Sequence, residues 1–426
     1  MARPLVAPLS TREERCLERV EESMPEMVAF LQELVRIPTV NPPGENYAAC
    51  AEAFGDRYRA LGYEVRYIAA EGHPDHSAAH PRVNVMARRE GRPGGPCVHF
   101  NGHLDVVPPG NGWSVDPFAG VERGGRIYGR GTCDMKGGMV ASLYAMEAVR
   151  RAGVVLGGAV EQSATVDEES GGFAGVAYLA DRGHLSAAKQ QHVIITEPLN
   201  PDRVCLGHRG VYWFDVTLHG RTAHGGMPFL GENAIDRMNA FLSALRERVY
   251  PGLEGRVTAL PVVPPGARRA TLNLNSIAGG QPIGAPQSPC VPDRCTAVFD
   301  RRFLPEESLA EIKAEIAALL GELGGAFELV DRMVVEPVFT APDAPVVLAL
   351  KAAVERLYGR PAELVASPGT YDQKHMTRRA GIAHCVAYGP GILDLAHQPD
   401  EYVAIADLEL SAKAMALAAL RLLPPA

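Results

Sequence analysis

The apolar patterning of this 426-residue chain changes style twice, and a chain that does so does not close around one uninterrupted sheet. Up to about residue 209, helical and strand-like stretches alternate: "PEMVAFLQELVRI" and "NYAACAEAFGDRYRALG" are amphipathic, "CVHFNGHLDVVP" is an apolar strand entering a turn, and "GGMVASLYAMEAVRRAG", "GAVEQSATVDEE", "GGFAGVAYLADRG" and "QHVIITEP" continue helix, strand, helix, strand. From Val211 the order becomes strand "VYWFDVTLHG", helix "NAIDRMNAFLSALRERV", strands "ATLNLNSIAGG" and "CTAVFDRRFL", helix "SLAEIKAEIAALLGELG" and strand "AFELVDRMVV". That βαββαβ order is the ferredoxin-like unit. Past Pro337, "APVVLALKAAVERLYG" resumes the first style. The expectation is an α/β protein with a mixed central sheet flanked by helices, built from residues 1–209 and 338–426, with an inserted ferredoxin-like domain over residues 210–337.

Charge narrows the partners. A formal net charge of −8 and a pI near 5.9 argue against a nucleic-acid surface, which needs clustered Lys and Arg. The N-terminal "MARPLVAPLSTREERCLERVEES" turns charged before a signal-peptide core can form, and no stretch approaches about 18 uninterrupted apolar residues. A cytoplasmic protein without membrane partners is expected. Its eight cysteines include no Cys-x-x-Cys pair, so neither a disulfide framework nor a Cys-rich zinc site is favoured, and Cys133 reads as a small packed thiol.

The stretch "ATVDEESGG" puts Asp167, Glu168 and Glu169 side by side before two glycines. Like charges repel at that spacing, which calls for something cationic nearby. His103 and Asp105, Glu168 and Glu169, and Glu197 all fall at the carboxyl ends of predicted strands, the edge where open α/β sheets bind ligands. Asp134 joins them from a Gly-rich loop and His397 from near the C-terminus. Two histidines and several carboxylates gathered at one edge suit a pair of divalent cations.

The segments "HLDVVP", "GRGTCDMKGG", "DEESGG", "TEP", "GRTAHGGMP" and "AHQPDEYV" resemble, in order, the signatures of the dinuclear zinc amidohydrolase family of acetylornithine deacetylase, succinyl-diaminopimelate desuccinylase, aminoacylase and bacterial glutamate carboxypeptidase. The resemblance spans about residues 25 to 420. It implies that Asp134 bridges two metal ions, with His103 and Glu197 completing one shell and Glu169 and His397 the other. It also implies a cis peptide after Asp134. Zinc is the metal it favours, and cobalt or manganese fits the same donors. Asp105 is read as an acceptor that orients the His103 imidazole. Glu168, left free beside the ions, is read as general base and then general acid, with Asp167 supporting the turn.

In the insert, the resemblance makes His224 the histidine that reaches a partner subunit's active site in a homodimer and stabilises the oxyanion, whereas His219 keeps a surface reading. Asn275 and Arg302 match positions that hold a substrate's polar groups. Arg301 competes for that role, and the family's Asp-x-Arg spacing favours Arg302. Gly369 and Thr370 match a substrate-contacting loop. The following "YDQKH" departs from the family pattern, so Tyr371, Asp372, Lys374 and His375 either face a different substrate or begin a solvated helix.

The activity implied is hydrolysis of the amide of a small N-acylated amino acid by water attacking between two metals. A dipeptidase or carboxypeptidase, or a hydrolase of another C–N bond such as that of an aromatic amine, remains open. A lapsed, non-catalytic member would be expected to have lost a ligand or the base, and none of those positions is missing.

Overall fold

The computed structural model describes residues 9–284 and 286–425. The first eight residues, on which the signal-peptide reading partly rests, lie outside them. The described chain forms two compact units: the residues up to Gly207 with Phe339–Val365 and those from Tyr371 onward, and His208–Val338 with Ala366–Thr370. The division from the pattern alone left that last short segment with the host domain.

The first unit is built on a mixed sheet. In spatial order its strands are Glu64–Ala69, Val83–Arg89, Ala159–Thr165, Cys97–His103, His192–Ile195, Cys385–Ala387, Arg203–His208 and Val338–Phe339, with Glu363–Ser367 also pairing to Arg203–His208. Ala159–Thr165, Cys97–His103, His192–Ile195 and Cys385–Ala387 run parallel, each with its neighbour. The first two are buried along their whole length, as strands covered on both faces must be. Helix Gly137–Arg151 is buried on nearly every side, and helix Ile405–Leu422 packs between it and Pro345–Tyr358. Their Ala- and Leu-rich surfaces form the main core. A small sheet pairs Tyr402–Ala404 with Arg126–Tyr128, tying the C-terminal region to the loop that precedes Asp134.

The second unit has the expected βαββαβ order: Gly210–His219, Ala234–Ala244 continuing to Gly255, Thr271–Gly279, Arg294–Phe303, Leu309–Leu323 and Phe327–Val335. Asn233 and Ser308 cap the two helices by accepting backbone N–H bonds. The antiparallel sheet carries its own core, with Phe214, Phe241 and Phe299 at its centre.

One predicted helix is mostly absent. In "GGFAGVAYLADRG" only Tyr178–Asp181 is regular, because Gly175 takes φ −91° and ψ −117°. There it lies so close to the Val166 carbonyl that a Cβ would sit 2.2 Å from the oxygen.

Candidate metal centre

Three parallel strands end together, and that edge carries the chemistry. His103 is the last residue of its strand, Glu197 follows Ile195 by two, and the Asp167–Glu168–Glu169 turn follows Thr165. His103, Asp134 and Glu169 offer nitrogen or oxygen atoms all within 4.8 Å of one another. Asp134 presents a different oxygen to each side: Oδ1 is 3.2 Å from His103 Nε2, and Oδ2 is 3.4 Å from His397 Nε2. Glu197 Oε1 lies 3.8 Å from His103 Nε2, and Glu169 lies 3.1 Å from His397 Nε2. The Asp134–Met135 peptide is cis.

The orientation of His103 has a different source from the one expected. Its Nδ1 lies 2.9 Å from the backbone carbonyl of Asp105, whereas the Asp105 carboxylate is 3.6 Å away. With the Nδ1 proton donated there, Nε2 is the ring nitrogen that faces Asp134 and Glu197. The Asp105 carboxylate instead accepts from the N–H groups of Glu168 and Glu169, at 3.2 and 3.1 Å, and from Asn41. It holds the acidic turn in place.

That turn separates two neighbouring glutamates. Asp167, Gly171 and Gly172 all have positive φ, and the buried Asp167 accepts from Arg82 Nε at 3.0 Å and Tyr47 OH at 2.9 Å. Glu169 then turns to His397, whereas Glu168 turns away to Lys374 Nζ at 2.8 Å.

Charge at the centre asks for cations. Burial pushes Glu197 well above the carboxylate range and Glu169 up to about 7, with Asp134 adding to both. Against the same burial, bonds to His103 and His397 hold Asp134 far below that range. Burial works against protonation of His103 too, but Asp134, Asp105 and Glu197 outweigh it and hold the imidazole well above its usual value. Bonds to Asp134 and Glu169 raise His397 to about 10. Protons are thus gathered between acceptors that face one another, in a mixed N/O donor set suited to divalent ions of the zinc type. The residues fit such a group.

Glu401 escaped the sequence reading. Fully buried, it accepts from the N–H groups of Gly131, Cys133 and Asp134 at 3.0, 2.9 and 3.1 Å and pairs with Arg130, so it fixes the loop that aims Asp134. Its only signal was its place four residues after His397. Tyr371, Asp372, Gln373, Lys374 and His375 are buried, which overturns the solvated-helix reading of that segment. Cys133 is buried, as a packed thiol should be.

The remaining candidates lie in the second unit. His224 is exposed, and its Nδ1 accepts from Gly226 N–H at 3.0 Å, which leaves Nε2 as the donor position. Asn275 is exposed at a bulge in its strand and accepts from Asn273. Arg302 is half-buried and forms a two-point pair with Asp300 at 2.7 and 3.0 Å, whereas Arg301 is buried and bound to Glu307. Gly369 and Thr370 are half-buried in the short segment Ala366–Thr370.

Comparison with known proteins places the whole chain. The chain is 31% identical over 396 residues to a succinyl-diaminopimelate desuccinylase of Rhodospirillum centenum, covering 91% of this chain and 95% of that one. It is also 31% identical over 391 residues to the enzyme of that name in Methylobacterium radiotolerans, covering 89% and 92%. Among solved structures, an M20 family metallo-carboxypeptidase from Sulfolobus solfataricus superposes with a TM-score of 0.75 at 20% identity, over 93% of this chain and 99% of that one. A dinuclear metal-binding M20 peptidase from Bacillus subtilis does so at 0.67 and 15%, over 95% and 99%. Residues 99–421 match the peptidase family M20/M25/M40, and the chain belongs to that family.

Proposed function

We propose that this chain is a metal-dependent hydrolase that cleaves the amide of a small N-acylated amino acid, with a succinyl group as the first candidate acyl. The observation that carries the reading is the divergence of Glu168 and Glu169, one turned into the donor cluster and the other held beside it. The relatives' name supplies the acyl candidate.

Two divalent ions, zinc in this reading with cobalt or manganese fitting the same donors, would supply Lewis acidity at the carbonyl and make water acidic. His103, Asp134, Glu197, Glu169 and His397 would hold them. Glu168 takes the proton of the attacking water as its oxygen bonds to the acyl carbon. It returns that proton to the amine nitrogen as the C–N bond breaks. Asp105 keeps the turn, and so the proton carrier, in register. Arg302 and Asn275, with Gly369 and Thr370, hold the substrate's polar groups. The Nε2–H of His224 stabilises the oxyanion in the site of a partner in a homodimer. The reading includes a cytoplasmic setting, supported by eight cysteines with no disulfide among them, and no described helix is long and apolar enough to cross a membrane.

The test strips the protein with a chelator and restores zinc, cobalt or manganese. Each form is then assayed on succinyl- and acetyl-amino acids, dipeptides and aryl amides. Turnover of acyl amino acids is expected. Cleavage of dipeptides alone would assign a peptidase, and no turnover with any metal would end the hydrolase reading.

A further inference from the structure

The start of helix Gln373–Arg378 places a buried ammonium against the acidic turn. Lys374 is 5% exposed, and a buried cation needs a partner. A carboxylate stands two residues earlier: Asp372 is 1% exposed, and neither of its oxygens has a hydrogen-bond donor. Yet Lys374 Nζ lies 2.8 Å from Oε1 of Glu168, 206 residues away in sequence.

The contact is fixed from both sides. Asp105 pins the backbone of Glu168, and Arg82 and Tyr47 pin Asp167 beside it. Opposite, His375 Nε2 lies 2.7 Å from the Gly171 carbonyl. Gly172, at φ +76°, passes so near that a Cβ there would stand 2.5 Å from Asp372 Oδ1. The helix start is therefore seated directly on the acidic turn, and its lysine reaches the one glutamate of the turn that faces away from the donor cluster.

We infer that Lys374 is a positioning residue for the general base: it holds Oε1 of Glu168 and leaves Oε2 to exchange a proton with water and amine. The inference rests on the role given to Glu168 above. A lysine ammonium donates hydrogen bonds and accepts none, so it fixes the carboxylate's rotamer without competing for the proton in flight. Asp372, acting through space on the same ammonium, keeps the cation compensated while Glu168 carries the proton.

The test uses full-length, zinc-loaded protein with Lys374→Met, Lys374→Arg, Glu168→Gln and the double variant Glu168→Gln/Lys374→Met. A misplaced reacting group costs up to about 10²-fold. Lys374→Met is therefore expected to keep both ions, to leave KM within about twofold and to lower kcat by about 10- to 100-fold. Lys374→Arg should recover most of that loss, and the double variant should be no slower than Glu168→Gln alone. Losses that multiply in the double variant, or a loss carried by KM, would overturn the proposal. If Lys374→Met folds poorly, Lys374→Met/Asp372→Asn removes the uncompensated carboxylate, and full recovery of kcat there would show that only charge balance mattered. A readout independent of turnover is the Glu168 side chain in crystals of zinc-loaded wild type and Lys374→Met. A carboxylate that keeps its place without the lysine overturns the proposal whatever the assay shows. A carboxylate that moves, in a protein whose wild type hydrolyses nothing, upholds the positioning and sinks the reaction assigned to the site.

Discussion

Glu168 and Glu169 are one peptide bond apart, and the turn around them decides that they do different things. Glu168→Gln should keep both metal ions and lose roughly 10²–10⁴ in kcat, because only proton transfer is removed. Glu169→Gln should lose metal, because a donor is weakened. Metal analysis of the two purified variants checks this, and equal metal loss in both would refute the division. At this scale the gathering of His103, Asp134 and Glu169 was legible because metal chemistry favours a few side-chain types, and strand ends restrict where those can gather. Two assignments were not legible. The carboxylate of Asp105 bonds to backbone N–H groups of the acidic turn, and His103 is steered by a main-chain carbonyl; no side-chain pattern records a main-chain partner.

The loop bearing Asp134 is held by a strand and a glutamate from the far end of the chain. Removing one member of a buried ion pair typically costs about 3–5 kcal/mol, and loss of an outer partner weakens metal binding about 10–100-fold. Glu401→Ala is expected to show both effects, read by denaturant unfolding and by competition with a chelator. A second element-scale prediction concerns His192, whose ring stacks on His384 at 5.4 Å. Burial, and then His384, push its pKa from 6.5 down to about 4. Between those values the unfolded chain takes up a proton that the folded strand refuses, so stability is full above pH 6.5 and lost as pH falls toward 4. His192→Gln lacks this proton, so its Tm relative to wild type should improve between pH 8 and pH 5. Elements with a clear period, such as Leu309–Leu323 behind its Ser308 cap, were readable because burial and local hydrogen bonding agree there. The pairing of Arg126–Tyr128 with Tyr402–Ala404 was not. Three-residue strands carry too little period, and their register is set by partners hundreds of residues away.

At the scale of the whole molecule, the homodimer reading yields a mixing experiment. Glu168→Gln and His224→Ala homodimers should each be nearly inactive. If His224 serves a partner's site, exchanging their subunits should restore up to about half of wild-type activity, since the His224→Ala chain keeps its own Glu168 and receives the partner's histidine. Verified exchange without recovery would place His224 in its own chain's site. The grip of Glu401 on the Asp134 loop also has a bearing on biosynthesis. His103, Asp134, Glu169 and Glu197 leave the ribosome about 200 residues before His397 and Glu401 do. Domains form as their sequences emerge, but this one cannot aim the Asp134 carboxylate until Glu401 has emerged. Metal capture is thus expected to wait for this segment and to act as a quality control: nascent chains arrested at residue 390 should retain no zinc after gel filtration, whereas chains that include His397 and Glu401 should retain it.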